Sequence, residues 1–247
     1  MKSTCVSTSQ RIVPATSAFY HSRKAWPKQT PPVAATGHVR DGDVPKSVLP
    51  RRPETTKLVS VPARPRDSAP GIHHVWVNAT SHWQYFLDDV DRMAWIRLLI
   101  RVSDRHGWGV VAFCQMETHV HALLDVANDS LPLGMEYLNR EYAKDFNARH
   151  DRQGHLIRKR YGSRRVVGHR DLLGAYAYVV LNPVEAGARA RPEDWRWSSY
   201  ATTVGLTADF QFVDARLVLA EVNYRADQLR VLVDARAAEL VRNRRVR

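Results

Sequence analysis

Only two cysteines, Cys5 and Cys114, occur in 247 residues, and so few exclude a disulfide framework. One sits in a polar stretch and the other in a predicted buried strand, so a reducing cytoplasm is the expected compartment. No apolar run approaches the length that a bilayer demands. Within the first 30 residues Arg11, Arg23 and Lys24 bracket only short apolar pieces, which leaves no secretory signal core. A glycine-rich phosphate cradle is also missing, so no nucleotide-binding loop is expected.

Acidic charge is scarce at the N-terminal end. Residues 1–70 hold 12 Lys/Arg against 4 Asp/Glu, so +8 of the net +12 lies there, while residues 71–204 and 205–247 contribute +2 each. This stretch is rich in Ser, Thr and Pro and has no sustained apolar period, so it is read as a disordered basic tail. Such a tail can attract phosphate without regard to sequence, since each neutralised phosphate releases counterions. It equally fits a plain solvated extension.

The remainder is patterned. β-Branched and aromatic residues over 72–78 predict a strand. Residues 88–106 predict a helix, opened by Asp88, Asp89 and Asp91, with its apolar residues mainly on one face, and closed by Gly107. Residues 108–115 and 118–126 predict two hairpin-linked strands. A second helix is predicted over 130–149 with Ser130 as its cap, then an extended basic segment over 155–168. A third helix is predicted over 170–184, with Pro183 and Gly187 expected to end it. The order strand, helix, strand, strand, helix, strand, helix predicts an α+β fold. Its plan is ferredoxin-like (RRM-like), an antiparallel sheet with helices on one face. Residues 213–246 predict one or two amphipathic helices, a C-terminal extension of the 71–204 domain. Its expected role is packing, with dimerisation or DNA binding as alternatives.

Within that frame, His119 and His121 stand two apart on a predicted strand, so alternation aims both rings at one face. Convergent neutral imidazoles suit a transition metal. The same spacing also fits two ordinary strand residues, one hydrogen-bonded and one solvated. Tyr178 and Asn182, four apart on the third helix, share a face. The amide can add an oxygen ligand, and a phenol can form a covalent intermediate. With an ordinary pKa of about 10 the phenol needs help at neutral pH, which a metal can give. A core aromatic followed by a helix stop is the alternative. Between these pairs, residues 149–170 hold Arg149, Arg152, Arg158, Lys159, Arg160, Arg164, Arg165 and Arg170 against Asp151 alone. That density suits a nucleic-acid backbone, and His155 and Tyr161 could stack on unpaired bases. An Arg-rich solvated loop is the plainer reading.

The ordered series Gly71-Ile-His-His-Val75, Phe86-Leu-Asp-Asp89, Met116-Glu-Thr-His-Val-His-Ala-Leu-Leu124, Arg160-Tyr-Gly-Ser163, Leu181-Asn-Pro-Val-Glu-Ala-Gly187 and Pro192-Glu-Asp-Trp-Arg-Trp-Ser-Ser-Tyr200 resembles the REP-associated tyrosine transposases. These are single-tyrosine HUH enzymes related to the insertion-sequence-200-like transposases. The resemblance spans residues 71–204. It implies His119 and His121 as metal ligands with Mg²⁺ or Mn²⁺, Asn182 as the third ligand and Tyr178 as the nucleophile. It implies cleavage and rejoining of single-stranded, hairpin-associated DNA through a 5′-phosphotyrosine, in a nucleoid-associated monomer or homodimer. Where the family has Pro-Asn before the first histidine, this chain has Glu117-Thr118. A non-catalytic module that binds single-stranded nucleic acid on the same fold is the competing expectation. A His-x-His metal hydrolase is disfavoured, because no further ligand set appears at suitable spacing.

Overall fold

The computed structural model describes residues 68–80 and 83–245. Residues 1–67 of the expected disordered tail, Cys5 included, lie outside the described residues. The sheet comprises β1 (Gly71–Asn78), β2 (Trp108–Gln115), β3 (His119–Val126) and β4 (Gly162–Val166), in the spatial order β2-β3-β1-β4. Every neighbouring pair is antiparallel. Helix α1 (Asp89–His106) connects β1 to β2, and α2 (Leu131–Arg149) connects β3 to β4. This is the ferredoxin-like α+β plan.

Helix α1 begins where the Asp88 carboxylate accepts from Val90 N and Asp91 N, both at 3.0 Å. It ends at Gly107, whose left-handed backbone (φ 67°) would strain any other residue. Helix α2 starts differently from the expectation. Ser130 is helical and its hydroxyl makes no capping bond. That oxygen instead accepts Trp108 Nε1 at 2.9 Å, while Asn128 Oδ1 takes Ser130 N at 3.0 Å. A tertiary donor has outcompeted the local one.

The pairing Val75↔Ala122 sets Val75, Val77, Val120, Ala122 and Leu124 on one sheet face, all buried. Helices α1 and α2 cover this face through Trp95, Ile96, Leu99, Met135, Leu138 and Tyr142, also buried. The pairings Trp76↔His121 and Asn78↔His119 set the histidines on the opposite face. There lies α3 (His169–Glu185), the added element beyond the two-helix layer. Beyond it come α4 (Tyr200–Thr203), α5 (Arg216–Ala220) and α6 (Ala226–Arg245), and α6 packs against α3. The C-terminal extension is therefore helical and docked. Among the described residues no helix is long and apolar enough to cross a membrane.

Candidate active site

Strand alternation and one turn of α3 bring His119, His121, Tyr178 and Asn182 to a single cavity of about 690 Å³. The His119 and His121 rings lie 5.1 Å apart, centroid to centroid, and nearly perpendicular (84°). Tyr178 stands edge-on to His121 at 5.4 Å. It is 46% exposed, whereas Tyr176 is fully buried. Of these two phenols, only Tyr178 is open to a substrate.

Pro183 shapes this end of α3. It lies inside the helix, which continues to Glu185 instead of stopping. A proline has no N–H, so the Val179 carbonyl loses its ordinary helical donor. The Asn182 side-chain nitrogen sits 3.4 Å from Val179 O and 2.8 Å from Tyr178 O. Because carbonyls only accept, this fixes the amide so that Oδ1 faces the cavity, 3.3 Å from His119 Nε2.

Each imidazole is held by its other nitrogen. Thr118 Oγ1 lies 3.1 Å from His119 Nδ1. His74 Nε2 lies 2.9 Å from His121 Nδ1. Such partners orient a ligating histidine and select its tautomer. Thr118 thus steadies the His119 ring. Burial, followed by the neighbouring His74 and His119, pushes His121 down to about 3. Burial and then the Arg164 charge push His74 down to about 4. Both rings are neutral at physiological pH, the form that binds metals. Burial raises the Tyr178 pKa, with Glu185 adding to the rise, so the phenol starts protonated.

Two neutral imidazoles and an amide oxygen are donors that suit a first-row divalent ion. His119 Nε2 and Asn182 Oδ1, 3.3 Å apart, stand close enough that one ion could be held between them. Among the described residues no group of three or more His, Cys, Asp or Glu is placed to hold a metal. The third polar group facing the two imidazoles is the Asn182 amide.

The basic segment divides. Arg164, opposite His74 on β4, lines the cavity and pairs with Asp171 at 2.7 Å. Arg170 lines a second cavity beside Tyr178. Arg158, Lys159 and Arg160 are exposed, on a loop that joins the end of β1 through Arg158 N to Asn78 O at 3.0 Å. Arg165 pairs with His73 on the other sheet face, its guanidinium near Gly71. Arg149 is committed to Asp88 and Asp91 at 2.5 and 2.6 Å, and the Arg152 guanidinium lies 3.8 Å from the Trp83 ring. Tyr161 is buried and not presented for stacking, while His155 is exposed.

Sequence reasoning missed His74, Trp76, Asn78 and, from α6, Arg236, all lining the cavity. Alternation along β1 groups the first three, but nothing local reveals that β1 pairs with β3. Trp76 lies over Gly162, where an added Cβ would come within 2.1 Å of the indole. Gly162→Ala is expected to displace Trp76 and lower the melting temperature; an unchanged melting temperature and an unmoved Trp76 indole resonance refute this.

No protein-family model and no curated protein matches the chain. Among solved structures, one of a REP-associated tyrosine transposase bound to a REP hairpin is similar, with a TM-score of 0.50 and 17% identity. The match covers 56% of this chain and 83% of that one. At this identity the likeness establishes a shared fold alone.

Proposed function

We propose that this protein is a metal-dependent single-tyrosine transposase of the HUH type, cleaving and rejoining single-stranded DNA next to hairpins. The convergence of two neutral imidazoles, an oriented amide oxygen and an exposed phenol on one cavity carries the reading. The fold shared with a hairpin-bound transposase supports the choice of substrate. His119, His121 and Asn182 would hold Mg²⁺ or Mn²⁺. When bound, the ion polarises the phosphoryl oxygen and offsets charge developing there.

Tyr178 Oη attacks phosphorus in line with the 3′-oxygen. The phosphorus–O3′ bond breaks, the phenolic proton passes to solvent, and the departing oxygen takes one up. The 5′-phosphate is left on Tyr178 beside a free 3′-hydroxyl. Attack by another 3′-hydroxyl reverses the step, rejoins the strand and restores the phenol, so no nucleotide is consumed. Arg164 offers a cation to the phosphate from the cavity wall.

Incubation with single-stranded hairpin DNA and Mn²⁺ is expected to yield a denaturation-resistant adduct with wild type and none with Tyr178→Phe. No adduct across a broad hairpin panel refutes the enzyme reading. In that case, metal-independent binding that survives His119→Ala and His121→Ala establishes a non-catalytic binding module instead.

A further inference from the structure

Glycine weakens a helix interior relative to alanine, so one that remains there has a reason in its backbone or its surroundings. Gly174, midway along α3, has neither of the usual ones. Its backbone is not in the left-handed region, and a Cβ built on it would meet no heavy atom within 4 Å. Gly134 and Gly162 differ, each lying under a tryptophan ring. In front of Gly174 there is only space.

That space is shared by two cavities. Gly174 lines the catalytic cavity and also a cleft of about 710 Å³ between α3 and α6. Tyr178, one turn further on, and Arg236 of α6 line both as well. Arg170, one turn before Gly174, and Arg242 line the cleft, whose walls include Leu173, Leu181 and Leu232. Arg236 pairs with Glu239. No ion pair of Arg170 or Arg242 occurs among the described residues.

We infer that the α3–α6 cleft is the path by which a single DNA strand reaches Tyr178, passing closest to the helix backbone at Gly174. This rests on the transposase reading above. Arg170 and Arg242 offer guanidiniums to the phosphates, beside Glu185 and the Arg236–Glu239 pair, and apolar walls suit unpaired bases and sugars. The cleft shares Gly174, Tyr178 and Arg236 with the cavity holding the nucleophile. A Cβ at position 174 would project into the strand's way.

The test uses the full-length protein, a fluorescent hairpin with single-stranded extensions and EDTA-treated buffer. Gly174→Phe places a ring at the junction, where its Cβ meets no heavy atom within 4 Å. It is expected to fold, as judged by circular dichroism and a cooperative melt, and to lose at least tenfold in DNA affinity. Arg170→Glu, a change at an exposed side chain, is expected to weaken binding severalfold and to reduce its salt dependence. Wild-type affinity in Gly174→Phe overturns the inference, even where Tyr178 forms its adduct and the enzyme reading stands. Should Gly174→Phe fail to fold, unchanged affinity and salt slope in Arg170→Glu overturn it equally. A wild type that neither binds the hairpin nor forms an adduct fails the enzyme reading and this inference together.

Discussion

His121→Ala is expected to reduce Mn²⁺ affinity at least a hundredfold, and His74→Leu by about 10- to 100-fold, the usual range for losing an outer partner of a ligating histidine. His74 would not itself hold the ion. Its Nε2, 2.9 Å from His121 Nδ1, decides which nitrogen of His121 is left for the cavity. Leucine at position 74 keeps bulk but removes that partner, whereas His74→Gln, which can still offer a hydrogen-bonding group there, is expected to recover most of the affinity. Titration followed by Mn²⁺ electron paramagnetic resonance measures this without DNA. Equal affinities in wild type and His74→Leu would dismiss the positioning role.

The same pair makes the fold acid-sensitive. His121 and His74 titrate at about 3 and about 4 in the folded chain, against about 6.5 when unfolded. Their pKa values are lowered, so as pH falls below about 6.5 the unfolded chain binds protons that the folded chain refuses. Stability therefore declines through the window from about 6.5 down to about 3. His121→Ala is expected to flatten that decline in melting temperature. A wild-type curve with no slope between pH 7 and 5 would contradict it.

Gly134→Leu is expected to destabilise the protein by about 3 kcal/mol, the upper part of the ordinary range for overpacking a core. For a folded unit of this size that lowers the melting temperature by about 6 to 12 °C. A Cβ at position 134 would stand 2.3 Å from Trp108 Cη2 and 3.0 Å from Val102 Cγ1. The indole cannot retreat cheaply, because Nε1 is bonded to Ser130 and the ring stacks against His106 at 5.5 Å. Gly174→Ala, in α3, meets nothing and should stabilise by up to about 1 kcal/mol through helix propensity. Thermal melts of Gly134→Ala and Gly174→Ala should therefore shift in opposite directions. A rise in both would deny that Trp108 packs on Gly134.

These two glycines show where local reading stops. Each sits in a predicted helix as the same residue type, yet one holds a packing contact and the other borders open space. Ser130 makes the same point, since the sequence offers a cap and Trp108 claims its hydroxyl. Pro183 reads as a helix stop, but α3 runs past it and turns the freed carbonyl to account by orienting Asn182.

The spacing of apolar residues, Asp88 and Gly107 at the ends of α1, and the hairpin between β2 and β3 were legible because they depend on neighbours within a few residues. So was the face shared by His119 and His121, which follows from strand alternation, and the face shared by Tyr178 and Asn182, which follows from helical periodicity. Tertiary structure alone decided that those two faces meet, that β1 brings His74 to His121, that α6 delivers Arg236, and that Arg149 is spent on Asp88 and Asp91 while Arg164 turns to the cavity. Periodicity assigns a side chain to a face, but which faces meet depends on strand order and register, set by burial across residues distant in the chain.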